Sequence, residues 1–198
     1  MLSPVELAIK PLKIPREERA NYLLAHRREL EELLGTSLSK KPERIWDTYY
    51  MRIRPLKRDF KEQCVKLADG NLLCLYQYKE LSAKGYIKAP LLSAMRGTVV
   101  KWYSNGESRL MAFPFAKFFN YMEVEETKTL PEGRFHASLK LDGTLIIVWR
   151  DENGEMHYNT RGMLEWFTPV KGKTGVYTQK MDTIANPYVK AFLNAVKR

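Results

Sequence analysis

Glycine-containing turns punctuate the middle of this chain at three places, and they restrict what it can fold into. Asp69-Gly70 separates residues 63–68 from 71–78, Ser104-Asn105-Gly106 separates 97–103 from 108–113, and Asn153-Gly154 separates 145–151 from 156–161. Asp-Gly and Asn-Gly supply the positive φ that tight hairpins demand. Parallel strands would need long crossovers, usually helical, and no helical period intervenes within these pairs. The predicted fold class is therefore α+β, with antiparallel sheets and flanking helices.

Helical character lies on either side of the hairpins. Residues 15–34 open with Pro15, Glu17 and Glu18, space Leu23, Leu30 and Leu34 near helical intervals, and meet a natural stop at Gly35. Residues 42–61 mix Arg and Lys with Trp46, Tyr49 and Tyr50 and fit either a second basic helix or an extended segment. Residues 185–198 place Tyr188, Val189, Phe192, Leu193 and Val196 on one helical face. The expected division is a basic, mainly helical appendage over 1–62 and a second unit over 63–198.

A formal charge of +10 in 198 residues exceeds what solubility needs and points to a polyanionic partner, because clustered Lys and Arg release counterions from phosphate backbones; a merely soluble basic protein is the alternative on charge alone. A two-residue turn at Asp69-Gly70 would set Cys64 opposite Leu75, so Cys64 and Cys74 read as reduced thiols of an intracellular protein. No signal peptide is recognisable in residues 1–14 and no apolar run reaches membrane-spanning length, which makes the cytoplasm the expected location and excludes a membrane partner.

The chemistry centres on Lys140-Leu141-Asp142-Gly143, directly before the apolar run 144–149. A lysine that acts as nucleophile must lose its proton, which burial at a strand end and neighbouring cations favour. Across the Asn153-Gly154 turn, Arg161 is expected near Ile146, where a guanidinium could grip a phosphate or depress the lysine pKa, although taken in isolation it reads as an edge arginine ending a strand. Upstream, Arg96-Gly97 precedes a strand, and residues 113–120 combine Lys117 with Phe113, Phe115, Phe118 and Phe119. Cations hold phosphates and aromatic faces stack on bases; a plain hydrophobic corner at Pro114 fits the same residues.

Taken in order, Tyr76-Gln77-Tyr78, Arg96-Gly97, the run from Pro114 through Lys117-Phe118-Phe119-Asn120, Lys140-Leu141-Asp142-Gly143 and Thr160-Arg161-Gly162 resemble the motifs of phage-type ATP-dependent RNA ligases that repair single-stranded breaks. The resemblance implies a nucleotidyltransferase fold of ATP-grasp-like ligase type over 63–198, incomplete at the C-terminus. It implies that Lys140 attacks the α-phosphate of ATP and passes adenylate to an RNA 5′-phosphate for joining to a 3′-hydroxyl. It places Tyr76, Arg96, Lys117 and Phe119 around the nucleotide, Asp142 and Gly143 at the nucleophile loop and Arg161 near the phosphates, with Mg2+ offsetting triphosphate charge and metal ligands unassigned.

The pattern departs from the family in several places. Beyond Gly162 the expected glutamate-bearing strands and the closing Lys-x-Lys pair are not recognisable, so a partner chain supplying them is one expectation. Arg161 stands where close relatives often have lysine, Phe113 where they tend to have arginine, and Met163-Leu164 replace a small polar pair. A ligase-like RNA-binding module that has lost catalysis is the alternative. A DNA ligase or capping guanylyltransferase is a third reading, weakened for DNA ligases by Ser138 two residues before the lysine.

Overall fold

The computed structural model describes residues 2–80, 83–129, 132–134, 136, 142–169, 177–179 and 183–197. Helix α1 (Pro4–Ile9) starts in a capping box: the Glu6 amide donates to Ser3 Oγ at 3.2 Å and the Ser3 amide donates back to Glu6 Oε2 at 2.9 Å. The helix expected over 15–34 is two helices, α2 (Arg16–Ala25) and α3 (Arg27–Leu34), broken at His26, whose φ of −109° and ψ of 20° leave the helical region. Gly35 ends α3 at φ 59°. The undecided segment 42–61 divides into helix α4 (Pro42–Leu56) and the start of a strand, with Pro55 falling in the last turn.

Strands β1 (Phe60–Lys66) and β2 (Leu72–Tyr78) pair, helices α5 (Ala83–Lys88) and α6 (Leu91–Ala94) follow, and β3 (Arg96–Trp102) and β4 (Ser108–Ala112) complete an antiparallel sheet in the order β1-β2-β3-β4. A second antiparallel sheet contains β5 (Ile146–Arg150), β6 (Met156–Thr160) and β7 (Met163–Leu164). Strands β8 (Phe167–Pro169) and β9 (Tyr177–Gln179) form a separate pair, and α7 (Pro187–Val196) ends the described chain. Its cap, Asn186, is fully buried: Oδ1 accepts from the Tyr188 amide at 3.0 Å while Nδ2 donates to the Met163 carbonyl at 3.1 Å.

All three hairpins form where expected, but two differ from expectation in register by one residue. Gly70 and Gly154, both at φ 83°, sit in longer turns closed by the Gly70 amide on the Leu67 carbonyl and the Gly154 amide on the Asp151 carbonyl. The additional turn residue shifts every cross-strand partner. Cys64 consequently faces Cys74, and the two form a disulfide, which corrects the expectation of free thiols. Ile146 pairs with Thr160, and Arg161 lies just past the strand.

The central strands of the first sheet, β2 and β3, are buried on both faces. Cys74, Tyr76, Tyr78, Val100 and Trp102 share one core with Val5, Leu23, Leu30, Tyr49 and Ile53 of the helices, whereas Leu73, Leu75 and Val99 pack on Ile147, Trp149 and Leu164 of the second sheet. Strand alternation sends successive side chains to the two sides, so helices, sheet and sheet stack as three layers. The Tyr49 hydroxyl donates to the Ala8 carbonyl at 2.6 Å, and Ser108 Oγ donates to buried Glu6 Oε1 at 2.9 Å, tying α1 to β4. The 62/63 division falls inside β1, and the helices before it share this core with the sheet. The fold is α+β with antiparallel sheets and flanking helices. No helix among the described residues is long and apolar enough to cross a membrane.

Candidate functional site

Two Arg-Gly pairs meet at one end of the stacked sheets. Gly97, at φ 91°, lies so close to the second sheet that a Cβ there would sit 2.7 Å from Ile147 Cδ1 and 3.0 Å from Arg161 Cα. Asn159 Nδ2 donates to the Gly97 carbonyl at 3.2 Å, fixing the contact. Gly162 presses in the same manner on the Gln77 side chain, whose Cδ would be 2.9 Å from an added Cβ. At Gly97 glycine is required, because a side chain at φ 91° would meet the Arg161 backbone, whereas at Gly162 the flexible end of Gln77 could move aside. Arg96 and Arg161 are thereby held on abutting backbone, and the Arg161 guanidinium lies over the Tyr78 ring at 5.4 Å.

Arg96 occupies an unusual setting. Its guanidinium lies 4.6 Å from the Phe115 ring centre and 4.9 Å from that of Phe118, and Nε and Nη1 are buried without a hydrogen-bond acceptor among the described residues. Stacking orients the plane, but the two unmatched donors carry a cost of about 1–3 kcal/mol each when nothing accepts from them. A phosphate or another acceptor at the guanidinium edge would remove that cost.

The aromatic run is anchored from beneath. The Lys117 amide donates to the Ser93 carbonyl at 2.8 Å, Lys117 Nζ sits 4.2 Å from the Phe119 ring centre and 3.6 Å from Glu123 Oε1, and Phe119 packs against the helical core. The Asn120 amide donates to Glu123 Oε2 at 2.8 Å and, with Lys117, holds that carboxyl below its ordinary pKa. Phe113, Phe115, Phe118, Tyr121 and Met122 are exposed.

The remaining expected residues divide in placement. Tyr76 is fully buried on the helix-facing side, where its hydroxyl donates to Glu62 Oε1 at 2.8 Å and accepts from Trp102 Nε1 at 2.9 Å; burial pushes its pKa well above the ordinary value. It is not brought to an open surface with Arg96. Asp142 and Gly143 are exposed ahead of β5, with Gly143 at φ 149°. Lys140 lies outside the described residues. Ile146 at the start of β5 pairs with Thr160, next to Arg161.

Sequence reasoning missed a histidine network on the second sheet. His157 Nδ1 lies 2.6 Å from Oε1 of Glu165, which is 4% exposed and whose Oε2 accepts from the Tyr158 amide at 3.0 Å. The pair is separated by a turn and a two-residue strand, so strand alternation alone would not have joined them. Comparison with family models, with curated proteins and with solved structures finds no match for the chain.

Proposed function

We propose that the chain is an ATP-dependent RNA ligase-type nucleotidyltransferase. Lys140 attacks the α-phosphorus of ATP, pyrophosphate leaves, and a lysyl-adenylate forms through a P–N bond. The adenylate then passes to an RNA 5′-phosphate, and attack by an RNA 3′-hydroxyl seals the ends with release of AMP. The observation that carries this reading is the pair of Arg96 donors that have no acceptor among the described residues, on backbone next to Gly97, which abuts Arg161 at the end of the sheets where β5 begins.

In this reading Arg96 and Arg161 receive phosphate charge, Lys117 and Phe119 line the nucleotide, and Asp142 with Gly143 shapes the nucleophile loop. Phosphoryl-type transfer is achieved largely by positioning and charge neutralisation, and Mg2+ coordinated by the triphosphate oxygens belongs to the same requirement. Counterion release by the +10 chain would draw the RNA strand in. A nucleotidyltransferase fold, and a second chain completing the site, belong to this proposal.

Burial of Tyr76 favours a second reading, a ligase-like RNA-binding module without adenylyl transfer, because a sealed phenol cannot face a nucleotide. Incubation with α-labelled ATP and Mg2+, followed by denaturing electrophoresis, separates the two. Adenylyl transfer gives an acid-labile label on the chain that Lys140→Ala abolishes and Lys101→Ala retains. An unlabelled chain, or equal labelling of both variants, rejects the ligase assignment.

A further inference from the structure

The far end of the β5–β6 hairpin, roughly 13 Å along the strands from Arg161, gathers a different set of side chains. One ligand atom from each of Asp151, Glu155 and His157 lies within 4.8 Å of the other two. The Asp151 carboxylate is already divided in its work. Oδ1 accepts from the Asn153 amide at 2.9 Å and the Glu155 amide at 2.8 Å, which leaves Oδ2, contacted at 3.4 Å by Asn153 Nδ2, turned toward His157.

The histidine ring is held from three sides. Glu165 Oε1 lies 2.6 Å from Nδ1, and Trp149 and Trp166 flank the ring at centroid distances of 4.7 and 5.5 Å. A carboxylate on one ring nitrogen is the arrangement that orients a metal-bound imidazole, because it fixes the N–H on that side and turns the other lone pair outward. Here the outward nitrogen is Nε2, and it stands 3.6 Å from Asp151 Oδ2. That separation is long for a hydrogen bond. It is close to the roughly 3.4 Å between two donors bound at 2.0–2.1 Å to a tetrahedral ion.

We propose that Asp151, Glu155 and His157 bind one divalent cation of the Zn2+ type, with Glu165 as the partner that orients the imidazole. One nitrogen and two carboxylate ligands suit Zn2+ and disfavour Mg2+, which prefers an all-oxygen shell rich in water. The exposed side chain of Glu155 leaves the remaining position open to solvent. The ion takes the place of any proton on Nε2, so binding releases that proton to solvent. The site is independent of adenylyl transfer and stands whether or not Lys140 is a nucleophile.

Isothermal titration of the full chain with ZnCl2, after treatment with chelator, tests the assignment. One equivalent is expected to bind. His157→Gln and Glu155→Gln should each weaken binding at least tenfold, and Glu165→Gln should weaken it about 10–100-fold. Glu155 is exposed, so its variant tests ligation without disturbing the core. His26→Gln, which alters a surface histidine paired with Glu29, should bind as wild type. Absence of binding, or wild-type affinity in both His157→Gln and Glu155→Gln, would overturn the site.

Discussion

Gly97 and Arg161 touch backbone to backbone across the two sheets: a Cβ on the glycine would stand 3.0 Å from the arginine Cα. Gly97→Ala therefore has to separate the layers or move β3 while also holding alanine at φ 91°. A loss of roughly 2–4 kcal/mol is expected from the combined strain and overpacking. Gly154→Ala, at φ 83° with nothing within 4 Å, should cost only about 1–2 kcal/mol. Urea denaturation of the two variants checks the difference, and equal midpoints would show that the sheet contact is soft.

Arg96→Met separates binding from stability. Methionine preserves apolar contact with Phe115 and Phe118 and removes two buried donors that lack acceptors among the described residues. The expected result is unchanged or slightly higher stability, by up to about 1 kcal/mol, together with at least a tenfold loss of adenylate labelling. Thermal unfolding and labelling measured on one preparation test both parts.

Reducing the Cys64–Cys74 disulfide opens a short cross-link between adjacent strands. For a loop with a sequence separation of 10 residues the chain-entropy cost is about 2–3 kcal/mol. Denaturation with and without dithiothreitol should show that loss, and a Cys64→Ser, Cys74→Ser double variant should be insensitive to the reductant.

Stability should also respond to pH through His157, whose pKa is raised first by the hydrogen bond with Glu165 and further by Asp151. In the unfolded chain an ordinary histidine titrates at about 6.5. The imidazolium form is thus favoured by folding. Its contribution is complete below the unfolded pKa and is lost as pH rises through the folded one. In buffer containing chelator, the wild-type melting temperature relative to that of His157→Gln should be highest on the acidic side and decline toward alkaline pH. A difference independent of pH would exclude the charged pairing.

Turn chemistry made the hairpins legible in the sequence, because Asp-Gly and Asn-Gly have few alternatives. Register was less legible. Gly70 and Gly154 each admit a two-residue turn or a longer one, and the choice depends on which faces become buried, as Cys74 and Trp149 are. Segment 42–61 read ambiguously because α4 runs into β1 within it. Arg96 and Arg161 stood out as charges next to glycines, but their meeting through Gly97 is a tertiary contact between residues far apart in the chain. Tyr76 shows the opposite limit: a tyrosine in a strand has the same spelling whether it faces a cleft or a core.

The shared core of helices and first sheet also decides how this chain can be cut for laboratory work. A fragment beginning at β1 would bare Tyr76, Val100 and Trp102, which now pack on the helices, and would offer that apolar sheet face to its neighbours. Such a fragment should precipitate on expression. Removing the basic N-terminal residues to simplify RNA-binding assays would therefore be misleading, and charge reversal at exposed Arg54, Lys57 and Arg58 is the sounder way to test what that surface contributes.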